Sequence, residues 1–191
     1  MININKTYLK YPPIKINKRK LPDTLIWRPK PVFKDDYDVV MFKTDGSNSY
    51  STMHCIKTSE TVNNKKMPYL FVLLLLSKPR KQGLGKKLLQ YATKMSEELG
   101  CGGRIFLGAD PQFIPNEVPH IFYRKFGMNT ESENVNNKLD KFIKEGKQAT
   151  IKDFHKIKMY YPPVQAFPDS EVQPKKSFWN CIKGFFQNLI G

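Results

Sequence analysis

The sequence has few of the residues from which covalent crosslinks and metal sites are built. It contains three cysteines and three histidines. They are scattered along the chain and show none of the paired spacings that zinc sites use: Cys55, Cys101, Cys181, His54, His120 and His155. We therefore expect reduced thiols in a cytoplasmic protein and no bound metal ion.

Long hydrophobic runs are also missing. The longest nearly continuous apolar run is 69–76, YLFVLLLL, which is far shorter than the roughly 20 residues that cross a bilayer. Residues 1–6 alternate polar and apolar side chains and lack the apolar region of a signal peptide. We expect neither a membrane span nor a leader, and we interpret 69–76 as a buried strand.

Acidic residues are scarce relative to basic ones. Seventeen Asp and Glu face thirty-two Lys and Arg, which gives a net charge of +15. Such a charge attracts nucleic acid, an anionic membrane surface or an acidic substrate. A lysine-rich surface that serves solubility and one anionic ligand explains the same number, so both interpretations stay open.

Composition divides the 191 residues into one domain and flanking segments. Residues 1–36 form a basic, proline-rich arm that has room for one short strand but not for long helices. We expect residues 162–176 to be a proline-rich linker and 177–191 to form an amphipathic helix with Phe and Trp on one face. That helix could pack on the domain, enter a partner's groove or lie in a membrane interface.

Between these segments the pattern predicts a mixed sheet with helices. Residues 38–43 and 50–56 flank the turn 45–48 as a hairpin, and 69–76 adds a third strand. The next elements are a helix with an apolar face from Leu84 to Leu99, ended by Gly100, and then a strand at 104–109. Further on, the pattern predicts a helix around Tyr123, a helix at 135–143 ended by Gly146 and a strand at 157–161.

The strand, turn and helix around residues 80–87 predict a site for an anionic group. Glycines let backbone N–H groups approach a ligand, and a helix N-terminus carries partial positive charge. Arg80, Lys81, Lys86 and Lys87 add full charges. Lys86 is followed by another lysine rather than Ser or Thr, and Leu88 stands where a dinucleotide loop needs glycine. Both of these nucleotide loops are therefore excluded, and a phosphate or pyrophosphate remains the expected guest.

Two motifs resemble those of the GNAT N-acetyltransferase superfamily. Residues 80–85, Arg-x-x-Gly-x-Gly, resemble its acetyl-CoA loop. Residues 116–128, NEVPHIFYRKFGM, resemble its Asn-x-x-Ala-x-x-Phe-Tyr-x-x-x-Gly-Phe segment, with Pro119 and Met128 as departures. The resemblance covers about residues 37–130 and implies an α/β acyl-CoA N-acyltransferase fold over 37–161, with a twisted, mostly antiparallel sheet flanked by helices.

The resemblance also implies an activity and a site. The activity is transfer of acetyl from acetyl-CoA to a primary amine by direct attack in a ternary complex. Tyr123 would be the general acid, although a core tyrosine fits the same position. Three groups of residues would bind the cofactor. The loop would bind the pyrophosphate: Arg80, Lys81, Gln82, Gly83, Leu84, Gly85 and Lys86. The strand edge would pair with the pantetheine arm through Leu75, Leu76 and Ser77, and Asn116 would contact the same arm.

Several points stay open. Asp110, Glu117 and His120 are the nearest candidates for a base, and none is assigned because the resemblance implies that a water chain can take this role. Asn116 could instead cap a helix. A protein of another class, a basic nucleic-acid-binding or ribosome-binding protein with a GNAT-like core as scaffold, accounts for the charge. The acceptor amine and the oligomeric state are not readable from these residues.

Overall fold

The computed structural model describes residues 23–29, 33–112 and 118–167. They form six strands and three helices, in this order along the chain: β1 (Thr24–Trp27), β2 (Asp36–Lys43), β3 (Tyr50–Val62), β4 (Lys65–Lys78), α1 (Leu84–Glu98), β5 (Ile105–Ala109), α2 (Pro119–Phe126), α3 (Glu133–Glu145) and β6 (Ile157–Tyr161). The predicted mixed sheet with helices is confirmed.

The strands form one sheet in sequence order, β1 to β6. All neighbours are antiparallel except β4 and β5, which are parallel. Asn63 and Asn64 join β3 to β4 with positive φ angles of 49° and 62°, and a tight hairpin turn needs this backbone because it matches the twist of the strands. The predicted hairpin and the third strand that follows it are therefore confirmed.

The parallel pair is short, and its end shapes the molecule. β4 pairs with β5 only from Leu70 to Val72, although β4 continues to Lys78. On its other edge, β4 carries one extra residue at Leu73, because His54 pairs with Leu74 while Cys55 pairs with Val72. Such a bulge bends a strand, so β4 turns away from β5 and the edge of residues 73–78 faces no described strand.

The core lies mainly on one face of the sheet. The apolar side of α1, predicted from its periodicity, is buried to 0–1% exposure against the inward residues of the strands: Leu84, Leu88, Leu89, Ala92 and Met95 against Val39, Met41, Met53, Leu70, Val72, Ile105 and Leu107. The opposite face carries a smaller aromatic cluster, in which Phe71 stacks on Phe106 at 4.7 Å and Tyr69 meets Phe106 edge-on at 5.8 Å.

Helix α3 lies between α2 and β6. It begins at Ser132, whose hydroxyl accepts a hydrogen bond from the Val135 N–H at 3.1 Å, and ends at Gly146 with φ 62°. These are standard start and stop signals, and the predicted helix is confirmed. Asn129 bridges to Tyr160 on β6, so α3 is an insertion between two segments that contact each other.

The flanking segments are described only in part. The predicted arm supplies one short strand, β1, and the structure describes no helix before β2. Residues 162–167 of the predicted linker hydrogen-bond to the domain, through Val164 to Asn129 and through Phe167 to Glu131 and Glu133. The predicted helix 177–191 lies outside the described residues. Among the helices that are described, none is both long and apolar enough to cross a membrane.

Candidate active site

The turn between β4 and α1 has the geometry that an anion site needs. Gly83 begins α1 with φ 75°, a left-handed backbone that favours glycine, and no side chain caps the helix start. Lys87 N–H is bonded to the Gly83 carbonyl at 3.1 Å, so the N–H groups before it have no partner within the helix. Arg80, Lys81 and Lys86 are exposed around them, and the residues present therefore fit a pyrophosphate.

Gly85 marks where three elements converge. A Cβ atom at this position would lie 3.2 Å from Ser77 Oγ of β4 and 3.4 Å from Phe122 Cζ of α2. The missing side chain thus keeps open the space between the end of β4, the start of α1 and the middle of α2. The structure brings together the predicted cofactor residues Ser77 and Gly85 and the residue next to the predicted acid.

The end of β4 is held from the β3 side. Ser51 Oγ lies 2.7 Å from Ser77 Oγ and donates to the Leu76 carbonyl at 2.7 Å. Leu75, Leu76 and Ser77 therefore form a fixed strand segment whose other edge has no β5 partner. A strand with one unpaired edge presents backbone donors and acceptors to an extended ligand. The pantetheine arm of acetyl-CoA is a ligand of this kind.

Tyr123 is half-buried on α2. Its ring packs edge-on against the Phe122 ring, with 5.2 Å between the ring centroids. Phe122 is the residue of α2 that lies beside Gly85. Burial raises the pKa of Tyr123 to about 12, so the phenol stays protonated near neutral pH. Its hydroxyl has no hydrogen-bond partner within the described part of the chain, which leaves the donor available for a bound substrate.

The carboxylate and imidazole considered as bases are occupied elsewhere. Asp110 accepts a hydrogen bond from Gln112 N–H at 2.9 Å and lies 3.4 Å from Lys156 Nζ. His120 is fully buried, stacks on Phe154 at 5.2 Å and lies with Nε2 2.8 Å from the His155 carbonyl. Burial lowers the pKa of His120, which keeps it a neutral packing residue. Glu117 and Asn116 lie outside the described residues.

Residues at the start of β3 belong to this site and were not predicted. Ser49 and Ser51 point to one face and are buried, at 1% and 0% exposure, beside the turn that follows β4. Their signal in the sequence is the alternation of serines at positions 47, 49 and 51, of which only the first and the last lie in the predicted turn and strand. Phe122 lies within the second motif, but no role was predicted for it.

No metal site accompanies this arrangement where the structure is described. Nowhere in residues 23–29, 33–112 and 118–167 do three His, Cys, Asp or Glu side chains come together in a way that could hold a metal ion. Cys55 and Cys101 are buried free thiols, and burial raises the pKa of both. Neither is a ready nucleophile.

A single family model covers both motifs. Residues 40–128 match the model of the Acetyltransferase (GNAT) family. These 89 of the 191 residues belong to the GNAT superfamily. The match includes the loop at 80–86 and Tyr123 and ends at Met128, the position of the final residue of the second motif. The family match supports an acyltransferase that uses acetyl-CoA as its donor.

Two solved structures share a distant similarity with this chain. A mutant of the AtaT toxin bound to the C-terminus of the antitoxin AtaR and acetyl-CoA is 13% identical, over 74% of this chain and 94% of that chain, with a TM-score of 0.42. The same mutant toxin bound to the C-terminus of AtaR is 12% identical, over 63% and 98%, with a TM-score of 0.39. No curated protein sequence gives a significant match.

Proposed function

We propose that this protein is an N-acetyltransferase that transfers acetyl from acetyl-CoA to a primary amine by direct attack in a ternary complex. The observation that supports this most is the convergence at Gly85 of the β4 end, the α1 start and the helix that carries Tyr123. It brings the predicted phosphate loop next to the helix that carries the predicted acid.

The first task of the site is to hold the donor still. The unpaired N–H groups at the start of α1 and the charges of Arg80, Lys81 and Lys86 would bind the pyrophosphate. The open edge of β4 at Leu75, Leu76 and Ser77 would pair with the amides of the pantetheine. Fixed positioning of this kind lowers a barrier by as much as about 7 to 11 kcal/mol.

The second task is the chemistry at the thioester. The neutral amine nitrogen attacks the carbonyl carbon, a C–N bond forms, and the C–S bond breaks with its electron pair on sulfur. Tyr123 would donate a hydrogen bond to that sulfur, since its raised pKa keeps the proton in place. A thiol has an ordinary pKa of about 8.5, so the thiolate can leave without full proton transfer. The nitrogen releases its proton to water, because Asp110 and His120 are both held by other partners.

A thermal-shift measurement tests the proposal first. Acetyl-CoA at a hundred times its Kd should stabilise the purified chain by about 2.7 kcal/mol, which raises Tm visibly. Gly85→Glu should abolish the shift, because the new side chain fills the space beside Ser77 and Phe122 and places a negative charge near the phosphates. Gly85→Gln supplies the same bulk without the charge, and it separates the two effects. A well-folded wild type with no shift would contradict the proposed function.

A further inference from the structure

A chain of three side chains connects the turn between β2 and β3 to the phosphate loop. Ser47 Oγ donates to Ser49 Oγ at 2.7 Å, and Ser49 Oγ donates to Gln82 Oε1 at 3.0 Å. Gln82 lies 33 residues further along the chain, immediately before Gly83, where α1 begins. The loop is thus tied to β3 by its last residue before the helix, while Ser51 ties the end of β4 at Ser77.

The direction of these hydrogen bonds fixes the orientation of the Gln82 amide. Ser49 is buried at 1% exposure and receives a hydrogen bond from Ser47, so its own proton goes to Gln82 Oε1. The amide oxygen is therefore turned to β3 and the amide nitrogen is turned away from it. Gln82 is exposed, and its Nε2 group has no hydrogen-bond partner within the described ranges.

From this geometry we infer that Gln82 is a side-chain ligand of the acetyl-CoA pyrophosphate and that Ser49 is a positioning residue that orients it. The inference depends on the proposed function, and it adds a side-chain donor to a loop whose other donors are backbone N–H groups. An amide held by one oxygen loses little rotamer freedom on binding, which is the physical benefit of orienting it in advance. Ser47 acts one step further out, through Ser49.

Calorimetric titration of the full-length chain with acetyl-CoA, in the absence of any acceptor, tests the inference. Ser49→Ala should raise Kd about fivefold, equivalent to about 1 kcal/mol, the usual net value of one hydrogen bond. Gln82→Met, similar in size but without donor or acceptor, should raise Kd about tenfold. The exposed Ser59, on the far part of β3, supplies the matched control, and Ser59→Ala should leave Kd unchanged.

The double variant decides whether Ser49 acts through Gln82. If it does, Ser49→Ala combined with Gln82→Met has the Kd of Gln82→Met alone, because no amide remains to be oriented. If Ser49 only supports the fold, the two effects multiply to about fiftyfold, and the inference is overturned. Should Ser49→Ala not fold, the exposed Ser47→Ala takes its place, with an expected twofold effect that also vanishes beside Gln82→Met.

The outcomes also separate this inference from the proposed function. A wild type that does not bind acetyl-CoA overturns both. A wild type that binds, together with a folded Ser49→Ala that binds equally well, overturns the positioning role alone and leaves the acetyltransferase intact.

Discussion

A substitution at Tyr123 should lower the rate of acetyl transfer without weakening the binding of acetyl-CoA. Replacement by Phe removes the hydroxyl and keeps the ring contact with Phe122. We expect Tyr123→Phe to lower kcat about a hundredfold, a typical contribution of acid catalysis, with the Kd for acetyl-CoA unchanged. Release of free thiol measures the rate once an acceptor amine is known, and calorimetry measures Kd.

A neighbouring aromatic supplies the control. Phe122→Leu trims the ring that lies against Gly85 without touching the Tyr123 hydroxyl. It should change acetyl-CoA binding more than kcat. Equal kcat values for wild type and Tyr123→Phe would show that the tyrosine is a packing residue, the alternative that the sequence left open.

His54 makes a second residue-scale prediction, on stability and pH. Its Nδ1 lies 2.9 Å from Asp38 and its Nε2 lies 3.1 Å from Asp36. The hydrogen bond with Asp38 raises the pKa of His54, and the charges of both carboxylates add to it against the opposing effect of burial. Only the doubly protonated ring can donate to both carboxylates, so the charged form joins β2 to β3.

The sign of the effect follows from the raised pKa. The folded chain binds a proton that the unfolded chain, with an ordinary pKa of about 6.5, releases, so the stabilisation is complete below that pH. It is lost as pH rises through the folded-state pKa, with a slope of at most about 1.4 kcal/mol per pH unit.

Urea unfolding from pH 5.5 to 9 should therefore show wild type losing stability relative to His54→Gln. Asp38→Asn should move the loss to lower pH, because it removes the carboxylate that dominates the shift. Parallel curves for wild type and His54→Gln would rule out the charged bridge.

At the scale of elements, α3 depends on a buried amide. Asn136 is 7% exposed, and its side chain accepts from Thr130 N–H at 2.9 Å and donates to the Thr130 carbonyl at 3.0 Å. Asn136→Ala leaves both backbone groups buried and unpaired, so we expect a loss of about 3 kcal/mol in the free energy of unfolding. Asn137, exposed on the same helix, is the matched control. An Asn136→Ala variant as stable as Asn137→Ala would contradict the role.

Elements with a local signal were predictable. The apolar period of α1, the glycines that end α1 and α3, and the hairpin turns each depend on residues close together in sequence. The contact between Ser49 and Gln82 has no such signal, because it joins residues 33 positions apart. The convergence at Gly85 depends in the same way on the bend of β4 at Leu73. A continuous apolar run does not reveal which of its residues forms the bulge, so this bend could not be predicted.

At the scale of the whole molecule, the basic charge is only partly explained by the candidate site. A bound acetyl-CoA needs the few cations near the loop, whereas the net charge is +15. Residues 1–22 alone carry six basic side chains and no acidic one. Many of the positive charges therefore lie outside the loop. A partner that they attract would respond to the summed charge of the chain and not to any single residue.

If the charge serves an extended polyanion, the alternative that the sequence leaves open, the wild type should bind single-stranded RNA independently of the acetyl-CoA loop. Affinity should fall steeply with salt, because each neutralised phosphate releases counterions with a slope near 0.7 per contact in log–log form. Gly85→Glu should leave RNA binding almost unchanged. Deletion of residues 1–22 removes six positive charges, so it should reduce the salt slope by at most about 4. Fluorescence anisotropy at several salt concentrations measures both. If acetyl-CoA competes with RNA, or Gly85→Glu abolishes RNA binding, the loop is the polyanion site and the arm is not, because only a shared surface couples the two ligands.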